Sequence, residues 1–185
     1  MSNESATLLK TRRFNVVRVS RTTVDGRPLS REIIRHPGAV TILPILDQGR
    51  VCLIRNHRLS VDQTLIELPA GTLDPGEAPQ ETARRELLEE TGYDAEQLQL
   101  LHSFYLSPGI LDERMHLFLA TGLTLRQTER QPDEQIENLI VSWEQALGLI
   151  RAGEIQDAKT IAGLLYFDKF GGSESSIRQG VPANP

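Results

Sequence analysis

Cysteine is almost missing from these 185 residues: Cys52 stands alone. No intrachain disulfide can form, so nothing requires an oxidising compartment. Cys52 lies in the apolar run Val51-Cys52-Leu53-Ile54, where a small core residue is a simpler reading than a nucleophile. No run approaches the ~20 apolar residues that span a bilayer. Met1 to Lys10 holds no apolar stretch of signal-peptide length, so the cytoplasm is the expected location. Basic residues are in deficit, with 20 Lys and Arg against 25 Asp and Glu and a net charge of −5. That excludes a broad nucleic-acid or acidic-membrane footprint, which needs a basic face. It does not exclude a small anionic substrate, because a bound metal inverts the local field. The histidines His36, His57, His102 and His116 are scattered without metal-ligand spacing. Neither a P-loop nor a nucleophile elbow occurs.

What remains is one domain's worth of soluble chain, 39% hydrophobic and 24% charged, enough for one sizeable core. Residues 1–11 read as a loose polar start. Phe14 to Val19 reads as a first strand, Asp25-Gly26 as a hairpin turn, and Arg31 to Arg35 as its return. These strands, residues 1–35, form an N-terminal extension suited to dimerisation. His36-Pro37-Gly38 punctuates the chain. Ala39 to Leu46 and Val51 to Asn56 read as strands around an Asp47-Gln48-Gly49 turn, and Leu65 to Pro69 as a short strand stopped by proline. A helix follows, with Pro79 in its first turn, Ala83 and Leu87 at helical spacing, and Gly92 as the C-cap. Leu98–Tyr105, His116–Thr121 and Ile136–Val141 read as strands; Trp143–Ala152 and Ala158–Phe167 read as helices. Residues 171–185, rich in glycine, serine and proline, read as a disordered tail. The fold class is α+β, an α/β/α sandwich around a mixed β-sheet, with the main domain at 36–170.

The segment Gly71 to Tyr93 carries the chemistry. Gly71 is followed after five residues by Glu77, and after seven more by Arg85-Glu86-Leu87, then Glu89-Glu90 and Gly92-Tyr93. A helix brings Glu86, Glu89 and Glu90 to one face. Three carboxylates there repel one another unless a hard divalent cation neutralises them, and magnesium commonly bridges carboxylates to phosphates. Arg85 can reach Glu81 or Glu89, and Gly71 permits close backbone approach. The plain alternative is a solvated helix laced by Glu81–Arg85 and Arg85–Glu89 pairs. Seven specified residues at roughly 7% each coincide by chance about once in 10^8 windows, which leaves that alternative little room.

This pattern resembles the Nudix box, Gly-x5-Glu-x7-Arg-Glu-(aliphatic)-x-Glu-Glu-x-Gly-(apolar), with no departure at its defining positions. The resemblance implies an α/β/α sandwich and Mg2+- or Mn2+-dependent hydrolysis of a nucleoside diphosphate linked to a second moiety. It makes Glu86 and Glu90 metal ligands, Glu89 a third, and the Ala70 carbonyl a further donor, while Glu77 and Arg85 shape and support the loop.

Over residues 36–167 the chain is similar to the ADP-ribose pyrophosphatase branch. The likeness rests on His36-Pro37-Gly38-Ala39-Val40, Ile54 to Arg58, Glu67-Leu68-Pro69-Ala70-Gly71, Tyr105 to Gly109 and Gly153 to Thr160. In that branch a homodimer is expected, with substrate sites drawing on both subunits. Arg55 and Arg58 read either as bidentate diphosphate or ribose contacts or as surface arginines at a strand end. Glu67 reads as an acceptor for a base or ribose, or as a surface charge. Ser107, Pro108 and Gly109 read as a loop against the terminal ribose, or as an ordinary proline turn. The branch places a catalytic carboxylate after the box, and Glu134 in the stretch 131–137 fits best, as base or further metal ligand. Glu134, Glu89 and Arg85 form the catalytic set, and Glu113 is a second candidate for ribose or metal contact. Tyr105 reads as a core aromatic ahead of a base-stacking one, and Trp143 as a helix anchor. The same-class rival substrate is GDP-mannose. The different-class rival is a non-catalytic nucleotide-sugar-binding module, against which the complete set of carboxylates counts.

Overall fold

In the computed structural model the chain is described over residues 4–126 and 136–171. In chain order the strands are β1 (Glu4–Lys10), β2 (Asn15–Thr22), β3 (Pro28–Arg35), β4 (Ala39–Leu46), β5 (Arg50–Arg58), β6 (Gln63–Glu67) and β7 (Ala70–Thr72). Helix α1 (Pro79–Thr91) follows, then β8 (Tyr93–Tyr105), β9 (Arg114–Leu125), β10 (Ile136–Ser142), α2 (Trp143–Arg151) and α3 (Ala158–Phe170). The tail 172–185 and residues 127–135, which include Glu134, lie outside the described residues.

The central sheet runs β10-β5-β4-β9-β8, with β6 added to β5 and β7 to β4. Among the described strands only β4 and β9 pair in parallel, so the sheet is mixed. Both faces of β4 are buried, which is why Ala39 to Leu46 is a continuous apolar run rather than an alternating one. Val40 and Ile42 meet Ala83 and Leu87 of α1 on one face. Leu43 and Ile45 meet Ala146 of α2 and Leu164 and Phe167 of α3 on the other. Helices on both faces of one mixed sheet make the expected α+β sandwich. Trp143 is an anchor, as expected: its Nε1–H donates to Asp168 at 3.0 Å and its ring meets Phe167 edge-on, tying α2 to α3. Among the described residues no helix is long and apolar enough to cross a membrane.

A separate sheet, β1-β2-β3, precedes this core. Val17 is its one buried apolar residue among those described. It attaches to the body through backbone bonds between Ile34 and the 110–112 segment and through Arg35 to Asp112 at 2.7 Å.

Several boundaries differ from expectation, and four of the differences have a plain physical reason. The start of the chain is not loose: β1 pairs Glu4 with Ser20 through Lys10 with Asn15, a backbone ladder that its polar side chains concealed. The return strand begins at Pro28, a first-strand position that tolerates proline. β7 is three residues long, too short to show a period. β8 begins at Tyr93 rather than Leu98, because Asp94, Glu96 and Gln97 make its first half look like a loop.

Candidate active site

Helix α1 carries the acidic face. Pro79 opens it, and since Ala78 has no capping side chain, the Glu81 carboxylate takes the Ala78 N–H at 3.1 Å instead. Gly92 closes it at φ 78°, a left-handed conformation that favours glycine, with its N–H on the Leu88 carbonyl at 2.8 Å. The helix packs by Ala83 and Leu87, both fully buried, so Glu86, Glu89 and Glu90 face the β7 end of the sheet.

Arg85 organises this face. Its Nε and Nη2 donate to the two oxygens of Glu77, both at 3.0 Å, and Nη1 donates to Glu86 at 2.7 Å and Glu89 at 3.3 Å. The pairing foreseen between Arg85 and Glu81 does not form, because Glu81 serves the helix N-terminus. Hydrogen bonds from Arg85 outweigh partial burial and hold the Glu77 carboxyl at about 2, against an ordinary 4.5. The same bonds raise the Arg85 guanidinium above its usual value. Glu77 also accepts from the Asp74 N–H at 3.2 Å, so it ties the loop after β7 to the helix.

Loop and helix touch at two points. Ala70 N–H donates to Glu90 at 2.9 Å, and Glu90 is only 5% exposed. Gly71 lies so close to Glu86 that an added Cβ would stand 1.9 Å from its carboxyl carbon. Any side chain at 71 would occupy the space Glu86 uses, which is the physical need for that glycine. A buried carboxylate, Glu90, and a partly buried one, Glu86, against a backbone loop are hard oxygen donors, and they fit a divalent cation. Among the described residues no three acidic, imidazole or thiol groups yet converge as a coordination set. Glu86 and Glu89 are instead held by Arg85, and Glu90 by Ala70.

Beside the loop opens a cleft of about 460 Å3, whose lining includes Arg58, Glu67, Ala70, Gly71, Glu113 and Lys159. Arg58 clamps Glu67 with two bonds, Nε to Oε1 at 2.7 Å and Nη2 to Oε2 at 2.6 Å. Glu67 is 1% exposed and also accepts from Lys159. Burial alone would raise the Glu67 carboxyl, but the Arg58 hydrogen bonds and the Lys159 and Arg58 charges reverse this and lower it. Glu67 is therefore no surface charge. Glu113, mostly buried, faces His36 at 3.6 Å.

Several anticipated residues lie elsewhere. Arg55 and Arg58 are three apart on β5, so strand alternation puts them on opposite faces. Arg55 stands exposed between its register partners Glu137 and Ile66. Ser107 makes the turn, its carbonyl accepting from Ile110 and Leu111. Pro108 lines a second hollow of about 240 Å3 with Ile33 and Tyr105, apart from the cleft. Tyr105 is not a core aromatic: it is 49% exposed, with Arg114 over its ring at 5.3 Å. Sequence reasoning gave no role to Lys159 or Asp157, although both fall in the Gly153 to Thr160 stretch that it had noted.

The NUDIX domain model matches residues 35–164. The chain belongs to the Nudix family. An ADP-ribose pyrophosphatase from Bacillus subtilis is 42% identical over 77% of this chain and 78% of its own length. A methanol dehydrogenase activator from Bacillus methanolicus is 38% identical over the same shares. A GDP-mannose pyrophosphatase from Salmonella typhi is 35% identical over 78% and 84%. A crystal structure described as an ADP compounds hydrolase superposes with a TM-score of 0.80 over 91% of this chain and 92% of that one. At 23% identity, that likeness speaks to the Nudix fold.

Proposed function

We propose that the protein is a Nudix pyrophosphohydrolase that cleaves the diphosphate bond of a nucleoside diphosphate sugar, with ADP-ribose yielding AMP and ribose 5-phosphate. The observation that carries this is the joining of Glu86 and Glu90 to the Ala70-Gly71 loop at the wall of a cleft that also presents Arg58. Glu86 and Glu90, with the Ala70 carbonyl and Glu89, would hold the divalent cation, Mg2+ or Mn2+. When bound, that ion offsets the diphosphate charge and lowers the pKa of the attacking water. Arg58 steers the diphosphate by its guanidinium. Arg85 holds Glu86 and Glu89 aimed by its hydrogen bonds to them. Water adds across the P–O–P bridge, one phosphorus gaining its oxygen and the bridging oxygen leaving with the other phosphate. Glu134, outside the described residues, is proposed as the base that takes the water's proton. Glu113, in the cleft lining, is proposed as a contact to the sugar end; the 107–109 turn lies outside that lining and could reach a substrate only from beside the cleft. Arg55 could serve a substrate only from the other face of β5.

The similarity to a GDP-mannose pyrophosphatase supports a second reading within the same chemistry. Equal ADP-ribose and GDP-mannose in one competition with Mg2+ separate the two: AMP release ahead of GMP is expected. Preferential GMP release would change the substrate and keep the reaction. No turnover of any nucleotide sugar, with or without metal, would leave the binding-module reading.

We also propose that residues 1–35 join two copies in a homodimer. The exposure of Leu8 and Leu9 on that sheet, and of Phe14 in the turn between its first two strands, supports it.

A further inference from the structure

We infer that Lys159 is a positioning residue for substrate recognition: it fixes the Glu67 carboxylate and, through it, the Arg58 guanidinium at the cleft. This rests on the reading of the cleft as the nucleotide-sugar site. A chain of contacts leads from α3 to the cleft wall. Asp157 caps α3, accepting the Thr160 N–H at 2.9 Å, and holds Lys159 Nζ at 3.0 Å. Lys159 donates to Glu67 Oε2, the same oxygen that Arg58 Nη2 reaches. Glu67 thus has a cation on each side, and neither it nor Lys159 is more than 8% exposed. Of the five N–H donors of a guanidinium, two are spent on Glu67, and that bidentate clamp sets the plane in which the others point.

The next residue of the chain repeats the attachment. Thr160 Oγ1 accepts the Leu68 N–H at 2.7 Å. Gly163 brings α3 close enough to Leu68 that a Cβ there would stand 2.8 Å from its side chain. The first turn of α3 therefore grips Glu67 and Leu68, just before the Ala70-Gly71 loop. A buried carboxylate with one of its two cations removed is poorly balanced, since the low-dielectric site solvates it weakly. Without Lys159, the Glu67–Arg58 pair loses its anchor on α3, and the two side chains can turn together. Lys159 itself need not touch substrate, because its ammonium is already engaged by two carboxylates.

The test uses the full chain, with ADP-ribose and Mg2+, in wild type, Lys159→Met, Arg58→Lys and the double variant. Lys159→Met is expected to raise KM about tenfold and to change kcat less than about threefold, the pattern of lost binding without lost chemistry. In the Arg58→Lys background the same change should have little further effect, because it acts through Arg58. Effects on KM that multiply would overturn the proposal, as would an unchanged KM per folded molecule. Should Lys159→Met fail to fold, the pair Glu67→Gln with Lys159→Met removes both buried charges, and it should fold while keeping the raised KM. Nuclear magnetic resonance of the arginine side chains supplies a readout without substrate. The Arg58 Nε–H, identified by its loss in Arg58→Lys, should be slow to exchange in wild type and broadened in Lys159→Met. An unchanged signal would overturn the positioning role. Wild type inert toward every nucleotide sugar would sink the reading of the cleft and this proposal together, whereas active wild type with normal KM in the variants sinks the proposal alone.

Discussion

The N-terminal sheet and the sandwich it leans on are built on opposite terms. Residues 1–35 hold eight basic and three acidic residues, while residues 36–185 hold twelve and twenty-two. Among its described residues the sheet buries Val17 and little else; the sandwich buries Ile42, Leu43, Leu53, Leu87, Leu117 and Leu164 completely. One is held by backbone ladders and a few ties near Asp112, the other by apolar burial on both faces of a sheet. The difference teaches where cost is tolerated. The sandwich has apolar burial enough to hold Glu67, Glu90 and Lys159 in its interior, which the thin sheet could not do.

The sharpest way to test that division is to strike the acidic face. Glu86→Gln and Glu90→Gln should each lower kcat by about 10^2- to 10^4-fold, because each removes a charge the reaction needs. Their circular dichroism should stay that of wild type; a collapse of the fold would mean the carboxylates serve structure instead. Metal dependence belongs to the same comparison. Turnover should stop with a chelator and return with Mg2+ or Mn2+, and full rate in metal-free buffer would refute the mechanism.

Burial predicts smaller effects of unequal size. Leu43→Ala should destabilise the protein by about 3 kcal/mol, the usual cost of a buried leucine. Val17→Ala should cost about 1 kcal/mol, since it removes fewer carbons from a site that keeps 7% of its surface exposed. Equal losses on chemical denaturation would erase the contrast between sheet and sandwich. For assembly, sedimentation at micromolar concentration should find a dimer that Leu9→Asp weakens; a monomeric wild type would rule it out.

A further effect, confined to one range of pH, concerns Glu77. Glu77 titrates near 2 in the folded chain against an ordinary 4.5. A depressed carboxylate contributes stability that is present above 4.5 and lost as pH falls from there toward 2. Glu77→Gln should therefore cost about 2 kcal/mol at neutral pH and almost nothing near pH 2. A constant difference across that range would assign the Arg85–Glu77 bonds no such role.

Much of this was legible in the sequence because it is local. The spacing from Gly71 to Tyr93 specifies a loop, a helix and an acidic face without help from the rest of the chain. The apolar runs of β4 and β5 and the Gly92 cap read correctly for the same reason. Reading failed where neighbours decide. β1 looked loose because its partner, β2, supplies what its side chains do not. The first half of β8 looked like a loop because its polar residues suit an exposed strand surface. Arg55 and Arg58 looked like one site because spacing along a chain does not display the alternation of a strand.

By itself, then, the sequence determined the family, the mixed sandwich and the acidic helix, each set by periodicity or fixed spacing within a short segment. Only the tertiary structure decided which charges meet. Glu67 and Lys159 lie 92 residues apart, and no local pattern links them. Packing α3 against Leu68 brings them together, and burial there is what makes each need the other.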